Sequence, residues 1–241
     1  MIPRVIHYCW FGGKTVPDKY QRFIAGWRRM MPDFEIVRWD ETNSPMHLPY
    51  MQQALANRKW ANMANYTRLH ALATQGGIYL DVDIEVLRTF EALLGDACFF
   101  GFEDPFVDWA GCVNNAVVGA APKHWFIMQC MERLLEKFDG TEEAHLSSPN
   151  LTTELLKKNG LRKYGDQLLG DIHLYPTDWF YPYSWHSYFR PEQVSKNTRS
   201  IHWFEGSWQT QSKIASPRKW ARKNFHLIRW QLTKRRILSS Q

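Results

Sequence analysis

The sequence predicts an α/β fold: a mixed, mostly parallel central sheet flanked by helices in a single domain. Three observations point there. Short apolar, strand-like runs alternate with amphipathic helical stretches along most of the chain. One apolar run, in Gly76-Gly77-Ile78-Tyr79-Leu80-Asp81-Val82-Asp83, carries two carboxylates at its carboxyl end, where open α/β sheets bind ligands. No internal repeat or low-complexity linker divides the 241 residues.

Residues 5–10 read as a buried first strand ending at Gly12-Gly13. A helix is expected over 18–30, stopped by Pro32. Residues 34–39 form a second strand, with Asp40 at its carboxyl end. Residues 50–75 are helical in pattern, as one helix or two, and Gly76-Gly77 is a fitting stop. The carboxylate strand is expected over 78–86, with shorter strands at 98–102 and 116–119. Helices are expected over 124–138, entered through Pro122, and over 147–159. The aromatic, Pro-rich stretch 175–191 reads as an ordered loop, and 200–204 as a late strand. A last helix is expected over 218–238, entered through Ser216-Pro217. The chain thus divides into a domain at 1–211 and a helical tail at 212–241.

Composition narrows the function classes. At 44% hydrophobic residues the chain can fill a core, and 12 Trp suit flat polar ligands as well as packing. Cys9, Cys98, Cys112 and Cys130 form no C-x-x-C spacing, which suggests neither a metal knuckle nor a disulfide frame. The N-terminus enters a strand without an apolar signal region, and no run of apolar residues is long enough to span a bilayer. A reduced, cytoplasmic or peripheral setting is expected. The net charge of +6 belongs to the tail: no acidic residue follows Glu205. The body is slightly acidic, which disfavours a general nucleic-acid surface.

The chemistry centres on Asp81 and Asp83. At i and i+2 of a strand they share a face. Two close carboxylates call for a positive partner, and a hard divalent cation carrying a diphosphate answers that need. A solvated strand end is the plain alternative. Asn65 and Arg68 lie three apart on the preceding helix. Arg68 suits a diphosphate and Asn65 a sugar hydroxyl, against a solvated helix face. Trp10 beside Gly12-Gly13 suits a stacked base, against a core position. His202 suits a metal, against a structural histidine.

Taken together, Ile6-His7-Tyr8-Cys9-Trp10-Phe11-Gly12-Gly13, Asn65-Tyr66-Thr67-Arg68-Leu69, the segment 76–83, Asn115-Ala116-Val117-Val118-Gly119 and Ser207-Trp208 resemble the family 32 glycosyltransferases. These include bacterial capsule and O-antigen sugar transferases, and the pattern is also similar to the glucosylating domain of the large clostridial toxins. The match runs in order over residues 2–208.

The resemblance implies a GT-A fold, a UDP-sugar donor (UDP-galactose or UDP-glucose), Mn²⁺ or Mg²⁺, and transfer with retention of configuration. It implies Trp10 on uracil, Arg68 on the donor sugar and phosphates, and Asp81 on ribose, sugar and metal. Asp83 would bind the metal directly, with His202 or Glu205 as third ligand and His202 preferred. Asn115 would line the sugar, and Ser207 and Trp208 would close over the diphosphate. Cys9, Asn65 and Tyr79 complete the donor-binding set. The catalytic set is Asp81, Asp83, Arg68 and Trp208. One departure stands out: members usually carry Ala-Ser-Asp where this chain has Met63-Ala64-Asn65. A covalent route needs a carboxylate beneath the ring, and the spacing selects none of Glu103, Asp104 and Asp108.

The tail is expected to be a basic amphipathic helix. Its apolar face gathers Trp220, Ala221, Phe225, Leu227, Ile228, Leu232 and Leu238, while Trp230, Ile237 and Arg235 break the pattern. That reads as an anionic membrane surface element on the cytoplasmic face of the inner membrane, near a lipid-linked saccharide acceptor. Docking on the domain core is the alternative. The competing functions are a metal-dependent nucleotide-sugar hydrolase and a non-catalytic, membrane-tethered sugar-binding protein.

Overall fold

Strand β1 (Val5–Cys9) is the hinge of the architecture, buried from Ile6 onward. In the computed structural model, which describes residues 1–104, 112–205, 230–235 and 237–239, β1 lies parallel between β2 (Glu35–Trp39) and β3 (Gly77–Leu80). The crossover to β2 is α1 (Asp18–Met30). Asp18 in its first turn and Arg28 and Arg29 in its last complement the helix dipole, and Tyr20, Ile24 and Trp27 bury one face. The crossover to β3 is a pair of helices, α2 (Pro49–Ala56) and α3 (Trp60–Gln75). They are separated where Arg58 takes a left-handed backbone. Gly77 at φ +109° is required where β3 meets β1, since a Cβ there would sit 2.5 Å from the Val5 carbonyl oxygen.

The large sheet has the order β2-β1-β3-β6-β5-β8-β7, completed by β5 (Cys98–Asp104), β6 (Cys112–Ala120), β7 (Gln167–Leu169) and β8 (Ile172–Tyr175). Only β6 and β7 run against the rest. Helices α2, α3, α4 (Trp125–Lys137) and α5 (Leu151–Lys158) pack on one face. On the other lie α1 and the single turn α6 (Thr177–Phe180). The expected helix over 147–159 starts late, at Leu151, because Pro149 disfavours helical backbone at Ser148, which is extended. The hairpin β7–β8 was not expected from sequence: its strands are short, and Leu168 points out to solvent.

The expected strand over 78–86 is corrected. β3 ends at Leu80, and the chain turns at residues 81–84, closed by the Ile84 N–H on the Asp81 carbonyl (3.0 Å). β4 (Ile84–Val86) then leaves the large sheet and pairs antiparallel with β9 (Ser200–His202), Ile84 opposite His202. The Trp27 indole on α1 donates to the Ile84 carbonyl (2.8 Å) and holds β4 there. Asp81 and Asp83 are neighbours because of this turn, not because they share a strand face.

Most of the expected terminal helix lies outside the described residues. The described part, residues 230–235 and 237–239, is helical and packs on the small sheet. Trp230 is fully buried among Leu87, Phe189, Val194, Ile201 and Trp203. Its indole and that of Trp203 both donate to Glu85 Oε2 (3.1 Å each), while Lys234 pairs with Oε1 (2.9 Å). The expected face assignment holds for Leu238, which packs against this cluster, and is otherwise corrected in this stretch. Trp230 is buried and Ile237 packs against the same cluster, whereas Leu232 is 80% exposed. A carboxylate on β4 decides which residues dock. Among the described residues no helix is long and apolar enough to cross a membrane.

Candidate active site

The site lies at the carboxyl end of β3, where three elements converge. Helix α3 supplies Arg68, and a solvated helix face is excluded because Asn65 and Arg68 are both buried. The Arg68 guanidinium donates to the Asn115 carbonyl on β6 (2.6 Å) and to Asp81 Oδ1 (3.3 Å), with the Tyr79 ring 4.6 Å away. Burial opposes the charge, but Tyr79 and Asp81 outweigh it and raise the Arg68 pKa. The Tyr79 hydroxyl donates to the same Asp81 Oδ1 (2.9 Å). Asp81 Oδ2 has no partner among the described residues. Cys9 lies buried beneath this group; burial pushes its thiol up to about 12. Its thiol is therefore neutral.

The second carboxylate sits in a different setting. Asp83 Oδ2 accepts the Glu205 N–H (2.8 Å), and Oδ1 lies 3.3 Å from His202 Nε2. Burial works to raise the Asp83 pKa, and the facing imidazolium and the Glu205 N–H overcome it, leaving it lowered. Burial likewise works to lower His202, and Asp83 reverses this, so His202 is raised. Asp81, Asp83 and His202 each offer a ligand atom within 4.8 Å of the others. A nitrogen with two carboxylate oxygens suits a borderline or hard divalent cation. His202 Nδ1 is also buried without a partner, so the residues fit a metal. The Glu205 carboxylate turns away to Lys19 (2.7 Å).

Other expected residues fall into three groups. Asn115 is at the site: its Nδ2 donates to Thr152 (2.8 Å), while its buried Oδ1 has no partner. Trp10 follows β1, half-buried and leaning on Tyr20, with its indole N–H on the Lys14 carbonyl (2.8 Å). Asn65 Nδ2 donates to the Ala144 carbonyl (2.8 Å) and Ser147 Oγ (3.1 Å). Glu103 on β5 accepts from Asn114. Ser207, Trp208 and Asp108 lie outside the described residues. Sequence reasoning missed Thr152, Ser147 and Glu85. Each is an ordinary residue type whose role appears only through tertiary contact.

The family model described as "Glycosyltransferase sugar-binding region containing DXD motif" matches residues 17–100, and that described as "Alpha 1,4-glycosyltransferase conserved region" matches residues 119–227. Two glycosyltransferase family models thus match successive parts of the chain. Inositol phosphoceramide mannosyltransferase 3 of Schizosaccharomyces pombe is 29% identical over 141 residues, covering 55% of this chain and 37% of that protein. Human alpha-1,4-N-acetylglucosaminyltransferase is 25% identical over 185 residues, covering 73% of this chain and 48% of that protein. The matched region spans about half or less of the curated relatives' length. Among solved structures, PaToxG Glycosyltransferase superposes with a TM-score of 0.54 at 18% identity, over 66% of this chain and 70% of that one. The expected GT-A fold is therefore the one observed, and the two carboxylates of the D-x-D sequence stand on its β3–β4 turn.

Proposed function

We propose that this chain is a metal-dependent, retaining hexosyltransferase that uses a UDP-sugar donor and a saccharide acceptor, with Mn²⁺ or Mg²⁺ at Asp81, Asp83 and His202. The observation that carries the reading is the convergence of those three side chains beside the buried cation of Arg68. The bound metal supplies Lewis-acid neutralisation of the departing diphosphate. Arg68 adds a fixed positive charge at the same place, held in position by Asp81 and the Asn115 carbonyl. Asn115 Oδ1, buried and unpartnered, accepts a hydroxyl of the donor sugar. Trp10 offers its free face to uracil. In a retaining transfer the bond from anomeric carbon to diphosphate oxygen breaks. The acceptor oxygen bonds on the same face, and its proton leaves on the diphosphate.

The names of the relatives bear on substrate. One set is named for mannosyl transfer to inositol phosphoceramide and another for N-acetylglucosaminyl transfer. The first supports a lipid-linked acceptor, and both widen the donor beyond UDP-galactose and UDP-glucose. A role in capsule or O-antigen synthesis at the inner-membrane face, with the basic tail on anionic lipid, is part of this proposal.

Nucleotide release from UDP-hexoses tests it, measured with and without saccharide acceptors and with Mn²⁺ or EDTA. Metal-dependent release stimulated by acceptor supports the transferase. Full-rate release without acceptor identifies a hydrolase, and absence of donor binding identifies a non-catalytic protein.

A further inference from the structure

Beside the candidate metal centre stands a group of aromatic rings that no donor contact uses. The Phe204 ring lies 4.1 Å from that of His202. Its backbone is left-handed at φ +48°, a conformation that bulky side chains seldom adopt. Both flanking residues hold it there through one aspartate: the Trp203 N–H donates to the Asp83 carbonyl (3.1 Å) and the Glu205 N–H to Asp83 Oδ2 (2.8 Å). Strained backbone of this kind concentrates at functional sites. Tyr183 meets Phe204 edge-on at 5.3 Å and is backed by Phe189 at 5.5 Å. Trp185 meets Phe204 edge-on at 5.8 Å.

Trp185 is the unusual member. It is 46% exposed, and its indole N–H has no hydrogen-bond partner among the described residues. Trp125 is similarly exposed, at 44%, but its N–H is tied to Asp171 (2.8 Å). Its neighbours in sequence, Ser184, His186 and Ser187, are polar, and Tyr188 in the same loop is 43% exposed, so the ring is accompanied by groups that can hydrogen-bond. A pyranose has the matching surface: a face of C–H bonds bordered by hydroxyls. An indole offers it a flat apolar face and a donor at the edge.

We propose that Trp185, supported by Phe204 and Tyr183, is the acceptor subsite, stacking a hexopyranose so that one hydroxyl reaches toward the metal centre. This rests on the transferase reading above. In the transfer, the stacked sugar's hydroxyl oxygen bonds to the anomeric carbon, the diphosphate oxygen leaves that carbon, and the hydroxyl proton goes with it.

The test is fluorine NMR of the full chain labelled with 5-fluorotryptophan, with the Trp185 signal assigned by its loss in Trp185→Phe. The probes are methyl glycosides of glucose, galactose, mannose and N-acetylglucosamine, and UDP with Mn²⁺. The expected result is a saturable shift of the Trp185 signal by at least one glycoside. In Trp185→Ala, glycoside affinity measured by saturation-transfer NMR should fall at least tenfold, while calorimetric affinity for UDP with Mn²⁺ stays within twofold. If UDP moves the signal and no glycoside does, the rings belong to the donor and the proposal falls. It also falls if nothing moves the signal. If a glycoside moves it but the wild-type chain binds neither UDP nor any UDP-hexose with Mn²⁺, the saccharide site stands and the transferase reading fails.

Discussion

Replacing Asn65 with aspartate separates two accounts of that position. By resemblance, the substitution would restore a usual ionised acceptor for the donor, and affinity would rise. The structure predicts the opposite. Asn65 is buried and acts as a double donor, to the Ala144 carbonyl (2.8 Å) and Ser147 Oγ (3.1 Å). A carboxylate loses both bonds, worth about 1 kcal/mol each, and leaves the Ala144 oxygen facing another acceptor, a further cost of about 1–3 kcal/mol. The Ser147 hydroxyl can turn to donate to the new carboxylate and offsets part of this. The expected loss for Asn65→Asp is about 2–4 kcal/mol, read as a fall of about 1 M in the urea midpoint. The sign with pH follows. A carboxyl buried against a carbonyl has its folded pKa raised, so the deficit is complete above that value. It shrinks as pH falls through it, because the protonated acid can again donate. Urea titrations at two pH values, with calorimetry of UDP binding, give the answer. A variant as stable as wild type that binds UDP more tightly would refute the structural account and return Asn65 to the donor.

Three further outcomes are expected. Asp83→Asn and His202→Ala should each weaken Mn²⁺ binding, measured by calorimetry without donor, by about 100-fold or more, since losing even an outer-sphere partner of a metal site costs about 10–100-fold; unchanged affinity in either places the metal elsewhere. His202 is raised by Asp83 despite burial, so in the metal-free protein the pair stabilises fully below the unfolded histidine value and is lost as pH rises through the folded one. Because a cation needs the neutral imidazole, Mn²⁺ affinity should climb with pH over that same interval, and a flat profile would remove His202 from the ligand set. Removing residues 212–241 strips Trp230 from its cluster and leaves Glu85 without two of its three donors. Full burial of a Trp makes this a loss of about 3–5 kcal/mol, and an unchanged melting temperature would show that the docked segment contributes nothing.

Much of the architecture was legible because it rests on periodicity. The buried run of β1, the 3.6-residue pattern of α1 and the glycine stop before β3 need no tertiary information. The edge hairpin β7–β8 was not legible, because a three-residue strand half open to solvent carries too little alternation to register. The site divides along the same line. Asp81, Asp83, Arg68 and His202 could be named from residue type and order. The reason the two aspartates meet could not, since it lies in β4 leaving one sheet for another to pair with a strand more than a hundred residues away. The hydrogen bonds of Asn65 were hidden for a related cause. Its identity says only that it can donate or accept, and its partners at Ala144 and Ser147 come from a distant loop. Trp230 was set aside as a break in an amphipathic pattern, yet it is the buried residue, because Glu85 on β4 offers its indole an acceptor that no helical wheel contains.

The placement of charge fits the proposed binding of a cation and an anion together. Without a ligand it is balanced: Arg68 faces Asp81, and His202, its pKa raised, faces Asp83. Arg68 and His202 are both buried and each faces a carboxylate, an arrangement that leaves Arg68, and His202 when protonated, with a partner. On the proposed reading, Asp81, Asp83 and neutral His202 would hold a divalent cation. Arg68 would then share Asp81 with that cation. A diphosphate would balance the added charge, with oxygens for both the cation and the guanidinium. The Arg68 donors are already turned toward that point by the Asn115 carbonyl and stiffened by the Tyr79 ring, so little reorganisation is needed when the anion arrives. Asp81 is the residue both halves of the site depend on. Tyr79 and Arg68 both use Oδ1, so on this reading the first aspartate of the pair would join the cation site to the anion site through Oδ2, while the second, fixed by His202 and the Glu205 N–H, would serve the cation alone.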